Sequence, residues 1–474
     1  MNWIAMGLAV AMSQAAPTDP FADGVLTMDE AVTVALTKGF TVQRAQQATA
    51  RAEAQSRAAE AALGVSASFS GSYAWFDGTA GLTTGGGSFG GATGGTTGGT
   101  RQDGGTGNTG GGSRVNTFNQ LVVSASKVFD ISGRIRAGIR ATDWFVEASK
   151  VGEEVAANGV RGDVRSAYLQ ALRAQELVVI QLAVRTSIAE RLDKTKVMFD
   201  AGSVPQFDVL RLENTLVQAD RNLVDAQLAA DLAKRSLMNL MGMDDEPSFD
   251  LQAPAAMTDA LAEDSVLVQR ALKERPELDA TSAQIQAYLA LEDQARTLYA
   301  PTLALSAQQT YIVGTGGNSD SKSTLALINL SIPLYDSGSS RANRDAARAN
   351  TVDAEISKEQ LSLGIVLQVR AALTNLNSAR ASLVLAENSL TLAREALRLA
   401  NLRYDEGAGL LVDVLVAIND ERAAAAGVAD ARFALRLALA ELQRALGTDN
   451  FAPEATVPPA PAPDAAANPN GNQS

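Results

Sequence analysis

Residues Arg136 to Asp244 match Arg341 to Asp449 at a constant offset of 205 residues, so the chain builds one unit twice. Along that offset Gly133 pairs with Gly338, Leu192 with Leu397, Asp200 with Asp405, Gly202 with Gly407, Asp208 with Asp413 and Gly242 with Gly447. Upstream the halves match at an offset of 236, as in Val32 with Val268, Leu36 with Leu272 and Ser70 with Ser306. The 31-residue difference is an insertion in the first half, inside 77–114, where 17 of 38 residues are Gly. That composition reads as a flexible external loop.

Aromatic residues are only 5% of the chain, thin for one compact globule, while Ala-rich segments speckled with charge suggest long helices packed on each other. A net charge of −13 argues against nucleic acid and anionic lipid surfaces as partners. The chain has no Cys and no His, which removes the thiol and Ser/His nucleophile arrangements and the usual zinc and copper ligands. We therefore expect no catalytic residue, no metal site and no cofactor.

The first 16 residues read as an export signal, with an apolar run from Trp3 to Met12 and small residues up to Ala16, although no Lys or Arg precedes Lys38. No apolar run reaches the length of a transmembrane helix. Membrane strands need fewer residues, and four segments fit them: about 66–76, 118–129, 302–311 and 324–335. In the first, Ala67, Phe69, Gly71, Tyr73 and Trp75 alternate with Ser66, Ser68, Ser70, Ser72 and Ala74. Aromatics gather at the strand ends, among them Tyr73, Trp75, Phe129, Tyr311 and Tyr335, as they do at a bilayer interface. Taken alone, the pattern fits a pair of soluble hairpins equally well.

The helical hairpins decide the geometry. Arg136 to Asp200 and Arg341 to Asp405 are proline-free runs of 65 residues with Ala, Leu and Val at helical spacing, each able to span roughly 100 Å. The chain returns through Asp208 to Met241 and Asp413 to Leu446, about half as long, and the missing length is expected from helices over Thr27 to Leu63 and Ser265 to Leu298. The hairpins thus cover 136–242 and 341–447, within repeats at 25–250 and 261–449, and the Pro/Ala-rich tail 453–474 reads as disordered. Four strands cannot close a barrel, and open edges are intolerable in lipid, so several chains must pool their strands.

With these pieces in place the chain resembles the outer-membrane efflux protein family, the TolC-like channels. The resemblance rests on Leu26-Thr27-Met28-Asp29-Glu30-Ala31-Val32, on Pro333-Leu334-Tyr335-Asp336-Ser337-Gly338, on the turns Phe199-Asp200-Ala201-Gly202 and Tyr404-Asp405-Glu406-Gly407, and on the repeat ends Leu240-Met241-Gly242 and Ala445-Leu446-Gly447. It implies a mainly α fold with a small membrane β part: a homotrimer with a twelve-stranded β-barrel in the outer membrane, continued by an α-helical barrel in the periplasm. It further implies passive conduction for a tripartite efflux pump or type I secretion system, docked to a periplasmic adaptor and an inner-membrane transporter and surrounded by outer-membrane lipid. The rival reading is an exported periplasmic coiled-coil interaction protein without a pore.

The candidate site residues lie at the hairpin tips. Gly202 and Gly407 follow the long helices, where positive φ ends a helix, and Asp208 and Asp413 open the returning helices, where carboxylates cap free N–H groups. Capping is the structural reading of all four. The resemblance adds adaptor docking at Gly202, Asp208 and Gly407, and a periplasmic entrance where Asp413 matches a constriction aspartate and Tyr404 a tyrosine of the closed-state network. Two positions depart from the family pattern: a second aspartate is Val416 here, and a basic lock residue is Gly409. Elsewhere, Gly104 to Thr109 lacks the features of phosphate or calcium sites, Arg161-Gly162-Asp163 reads as a solvated helix face, and Asp244-Asp245-Glu246 as a charged turn.

Overall fold

The computed structural model describes residues 24–77, 115–243, 249–254, 263–315 and 321–447. The export segment, residues 78–114, Asp244-Asp245-Glu246 and the tail from 453 lie outside the described residues. In chain order the elements are β1 (Val25–Leu26), α1 (Met28–Lys38), α2 (Phe40–Ala61), β2 (Val65–Asp77), β3 (Val115–Phe129), α3 (Arg134–Asp200) and α4 (Gln206–Met241). The second half supplies β4 (Asp250–Leu251), α5 (Asp264–Glu274), α6 (Pro276–Arg296), β5 (Thr302–Thr315), β6 (Ser321–Ser331), α7 (Ser339–Asp405) and α8 (Leu411–Leu446). The duplication is metrically close: α3 and α7 are each 67 residues long, α4 and α8 each 36. Two compact units result, one from residues up to Glu53, Asp143–Ala287 and Asn350 onward, the other from Ala54–Thr142 and Tyr288–Ala349.

In the helical unit, the uninterrupted helices expected over Thr27 to Leu63 and Ser265 to Leu298 are each broken in two. The first breaks at Gly39, which is extended (φ −65°, ψ 133°) and where an added Cβ would meet the Ala35 carbonyl oxygen at 2.2 Å. The second breaks at Arg275 (φ −77°, ψ 119°), because Pro276 excludes the α region from the residue before it and then opens α6 as its first residue. The returning helices end on these breaks. A Cβ added at Gly242 would stand 2.6 Å from the Lys38 carbonyl oxygen, and one at Gly447 would stand 3.2 Å from Arg275 Cγ. Both glycines are left-handed, at φ 72° and 74°, so each closes its helix in a conformation that side chains resist.

α1 is started by a capping box: the Glu30 N–H donates to Thr27 Oγ1 and the Thr27 N–H donates to Glu30 Oε2 at 2.9 Å. Its buried face, Ala31, Val32, Val34 and Ala35, joins Val164, Tyr168 and Ala171 of α3, Leu237 and Met241 of α4, and Phe249 and Leu251 in one core. The second repeat builds its counterpart from Leu267 and Ala271 of α5, Ile365, Val369 and Leu376 of α7, and Leu442 and Leu446 of α8. Tyr168, fully buried, places its hydroxyl 2.7 Å from both the Leu26 and Gln252 carbonyl oxygens, tying α3 to the parallel pair β1–β4.

The other unit holds a four-stranded antiparallel sheet in the order β2-β3-β5-β6. The register aligns one set of rows as Val65, Lys127, Leu305, Ile328, then Ala67, Ala125, Ala307, Ala326, with Leu121 beside Tyr311 further along. The opposite face carries Ser66, Ser126 and Ser306 in one row and Ser68, Ser124 and Gln308 in the next. Hydroxyl pairs Ser66–Ser126 and Ser68–Ser124 each close at 2.7 Å. Period two thus sorts apolar side chains from hydroxyls along β2 and the facing part of β3, whereas β6 sets Leu327 and Leu325 beside Ser306 and Gln308 on the serine face. β6 stops at Ser331, short of the expected Tyr335, because Pro333 has no N–H to continue a ladder.

Both long helices start on an aspartate. Asp130 accepts from the Ile135 and Arg136 N–H groups at 3.2 and 2.9 Å, and Asp336 accepts from Gly338 and Ser340 at 3.0 and 2.7 Å. The Ser340 and Tyr299 hydroxyls, with those backbone donors, hold the Asp336 carboxyl well below the usual carboxylate range.

Burial pushes the Tyr168 phenol up to about 12, so its neutral, hydrogen-bonded form contributes stability fully below pH ~10 and loses it as pH rises through the folded value. Tyr168→Phe is expected to cost about 1–2 kcal/mol at neutral pH and to flatten the fall in stability between pH 10 and 12. Denaturant unfolding followed by circular dichroism across that range checks both.

Candidate functional site

Ion pairs set the order of the four hairpin helices. Arg185–Asp220 (2.9 Å) and Lys196–Glu213 (3.1 Å) join α3 to α4, while Arg173–Asp430 (2.5 Å) and Arg432–Glu176 (3.5 Å) join α3 to α8. Arg394–Glu421 (3.5 Å) and Arg432–Glu387 (3.7 Å) join α7 to α8. Along the hairpins these pairs give the order α4, α3, α8, α7, whereas at the tips Arg191–Asp405 joins α3 directly to α7. These pairs are half-exposed and each adds little stability, but together they fix register.

At the tips, both long helices end in the same closing motif. The Gly202 N–H donates to the Phe199 carbonyl at 2.8 Å and Ser203 to Met198 at 2.8 Å; Gly407 donates to Tyr404 at 3.0 Å and Ala408 to Arg403 at 2.8 Å. Gly202 and Gly407 have φ 74° and 72°, as their position after the long helices predicts. The aspartates do not cap as expected. Helix α4 is capped by Pro205 and α8 by Leu410, with no side-chain capping bond at either, and Asp208 and Asp413 lie three residues further in. In that first turn they still complement the helix dipole. Their environments differ: Asp208 is half-buried and accepts from the Tyr404 hydroxyl at 3.4 Å, whereas Asp413 is exposed with Val416 and Asp420 on one stripe of α8.

Tyr404 is 4% exposed, packed with Ile188 and Leu192 of α3, Leu212 of α4, and Leu411, Val414 and Leu415 of α8. Burial pushes its phenol up, so the hydroxyl remains a donor toward Asp208. Above its ring, at 5.7 Å, lies the Arg191 guanidinium, which also donates to Asn401 Oδ1 and, at 2.5 Å, to Asp405 Oδ1. The Arg191 side chain is 7% exposed. A buried cation held by one carboxylate, one amide and one ring therefore locks α3 of the first repeat to α7 of the second.

Arg191 was not among the residues singled out from the sequence. The one available signal was a mismatch in the duplication, because at the 205-residue offset Arg191 faces Ala396. Gly409, which stands where the family pattern has a basic residue, has its own local reason. A Cβ there would meet Arg403 Cβ and the Tyr404 nitrogen at 3.1 Å, so the turn runs too close to the helix end for a side chain without a shift.

The chain matches the family described as Outer membrane efflux protein over residues 32–243 and 267–448. It is 26% identical over 299 residues to the outer membrane protein TolC of Vibrio cholerae serotype O1, covering 60% of this chain and 67% of the relative. To nodulation protein T of Rhizobium leguminosarum bv. viciae it is 26% identical over 364 residues, 73% of each chain. The fold superposes on the outer-membrane channel OprN with a TM-score of 0.68 at 21% identity, covering 89% of both chains.

Arg191→Gln is expected to speed amide exchange at the tip residues 198–204 and 401–408 by about 10- to 100-fold, since charge-assisted hydrogen bonds contribute ~1.5–3 kcal/mol. Hydrogen–deuterium exchange mass spectrometry checks it, with peptides of the β-sheet as the unaffected control. The chain belongs to the outer membrane efflux protein family and is an outer-membrane channel of the kind that serves efflux or type I secretion systems, with its helical part in the periplasm.

Proposed function

We propose that three copies of this chain close one conduit, β6 of each copy pairing with β2 of the next and α7 packing on the neighbour's α4. The observation that carries this reading is that the sheet and the helix array each end in unsatisfied edges. Among the described residues β2 and β6 each have one strand partner, leaving a row of backbone donors and acceptors on the far side. The outer helices of the ion-paired order carry exposed apolar residues seven apart: Leu385, Leu392 and Leu399 on α7, and Leu210, Val217 and Val224 on α4. Such stripes are coiled-coil seams awaiting a partner. Three antiparallel four-stranded sheets make an even, closable set with the apolar face toward outer-membrane lipid and the serine face toward the lumen. A pore-free coiled-coil protein would need neither the sorted sheet faces nor the two open strand edges.

In this assembly the chain conducts passively, with energy from an inner-membrane transporter and docking by a periplasmic adaptor at the tips around Gly202, Asp208 and Gly407. Asp413 lines the periplasmic entrance. Tyr404 belongs to a lock that holds the entrance closed, with Asp208 and Arg191 as its partners. Val416 leaves Asp413 as one acidic ring of three. The chain acts as a conduit rather than as a catalyst.

Chemical cross-linking in mild detergent is expected to give a discrete three-chain species, and a monodisperse water-soluble monomer would overturn the assembly. In planar bilayers Asp413→Asn is expected to reduce cation preference several-fold without lowering the trimer's melting temperature, because three carboxylates around a narrow axis focus negative potential. Asp208→Asn is expected to raise the closed-state conductance by loosening Tyr404 while leaving ion selectivity intact.

A further inference from the structure

The two places where a strand hands over to a long helix, residues 127–140 and 333–349, hold seven Lys or Arg against three Asp. With the flanking segments 54–64 and 288–301 the junction carries nine Lys or Arg and six Asp or Glu, a local excess of cations in a chain of net charge −13. All of it lies in the unit that holds the sheet. Most of the carboxylates are already engaged. Glu292 and Asp293 meet Arg296 at 2.8 and 3.2 Å, and Asp130 and Asp336 accept from the N–H groups that start α3 and α7. Arg134, Arg136, Arg341, Arg344 and Arg348 are exposed and have no ion pair among the described residues.

Helix stability does not explain these arginines. α1, α4, α5, α6 and α8 each place an acid in the first turn, as the helix dipole favours, whereas α3 and α7 have none there. Arg134, Arg136 and Arg341 stand in those turns instead, against the dipole, so their use lies outside the chain.

The surface beside them is apolar. Phe129, Ile131, Leu334 and Tyr335, all exposed, gather at the ends of β3 and β6. Lys127 shares the apolar row of Val65, Leu305 and Ile328, and its Nζ leans to 5.6 Å from the Phe129 ring, toward the helix end of β3. A lysine bends this way when its stem lies in hydrocarbon and its ammonium at a charged surface. Next to it a hollow of about 500 Å³ is walled by Val128, Phe129, Ile135, Ile139 and Leu291, with Arg134 also on the wall. The one carboxylate lining it is Asp130, already held by the Ile135 and Arg136 N–H groups.

We infer that this junction binds anionic phospholipids of the periplasmic leaflet, with phosphates met by Arg134 and Arg136 in one repeat and by Arg341 and Arg344 in the other, and an acyl chain entering the hollow beside Arg134. The inference rests on the placement of the sheet in the bilayer proposed above. The net charge that argues against anionic surfaces for the chain as a whole is reversed where the sheet meets the helices. Guanidinium suits the task, because its planar fork matches two phosphate oxygens and keeps its charge at every working pH.

The test uses the full chain in mild detergent doped with equal amounts of phosphatidylglycerol and phosphatidylcholine of matched chains, with bound lipid counted by native mass spectrometry. Retained phosphatidylglycerol is expected to exceed phosphatidylcholine at least about 10-fold, and Arg136→Gln, Arg341→Gln and Arg344→Gln together to bring the ratio near one. The same charge change among exposed cations of the other unit, Arg44→Gln, Lys150→Gln and Lys194→Gln, is expected to leave the ratio unchanged. Equal retention of both lipids by the native chain, an unchanged ratio in the first variant, or an equal loss in both variants would overturn the inference. A lower melting temperature in the first variant would make the arginines structural and overturn it as well. Glycerol 3-phosphate, which has no acyl chain, is expected not to displace the bound lipid at equal concentration, and displacement would assign the arginines to a free phosphate ester instead. Flotation with vesicles of phosphatidylcholine alone separates the two readings. Insertion without any preference for phosphatidylglycerol overturns this inference and leaves the membrane reading standing, whereas no insertion into any vesicle removes both.

Discussion

A backbone edge in hydrocarbon has no water to satisfy it, and that constraint organises the rest of the molecule. The sheet of β2, β3, β5 and β6 sorts apolar side chains from hydroxyls in its first strands, and among the described residues its outer strands, β2 and β6, each have one strand partner. In the proposed assembly, closure by other copies would then dictate what the helices do. Since β6 runs on into α7, and α4 ends against the α1–α2 break that leads to β2, the strands that need partners belong to the same chain margins as the helices with unpartnered leucine seams. One sequence margin thus solves two different problems, backbone pairing in the sheet and side-chain packing in the helices.

Periodicity and duplication carried much of this architecture. The long proline-free runs, the left-handed Gly202 and Gly407, and the alternating strands are local properties, so they were legible residue by residue. The two helix breaks were marked by Gly39 and Pro276 but masked by apolar spacing that runs through both. Periodicity records which face is buried and is blind to a change of axis. The capping expectation for Asp208 and Asp413 failed for a related reason: an aspartate near a helix start suits both the cap and the first turn, and only backbone geometry at Pro205 and Leu410 separates the two.

The Arg191 cluster was illegible because its members, Arg191, Asp208, Asn401, Tyr404 and Asp405, come from three helices and two repeats. Nothing in the spacing of any one helix announces them. What the sequence does contain is the record of divergence: where the first repeat has Phe199 the second has Tyr404, and where the first has Arg191 the second has Ala396. Neither copy holds both halves of the contact.

That complementary loss has a consequence for symmetry. Two identical hairpins per chain, three chains to a ring, would present six equivalent tips, and any motion at one would be equally favourable at all. A single phenol, Tyr404, with its hydroxyl toward Asp208 and its ring beside a single guanidinium from the other copy, makes the two tips of a chain inequivalent. In the proposed trimer the rotational order of the ring would fall from six to three, with one set of hairpins a fixed frame against which the other set could turn.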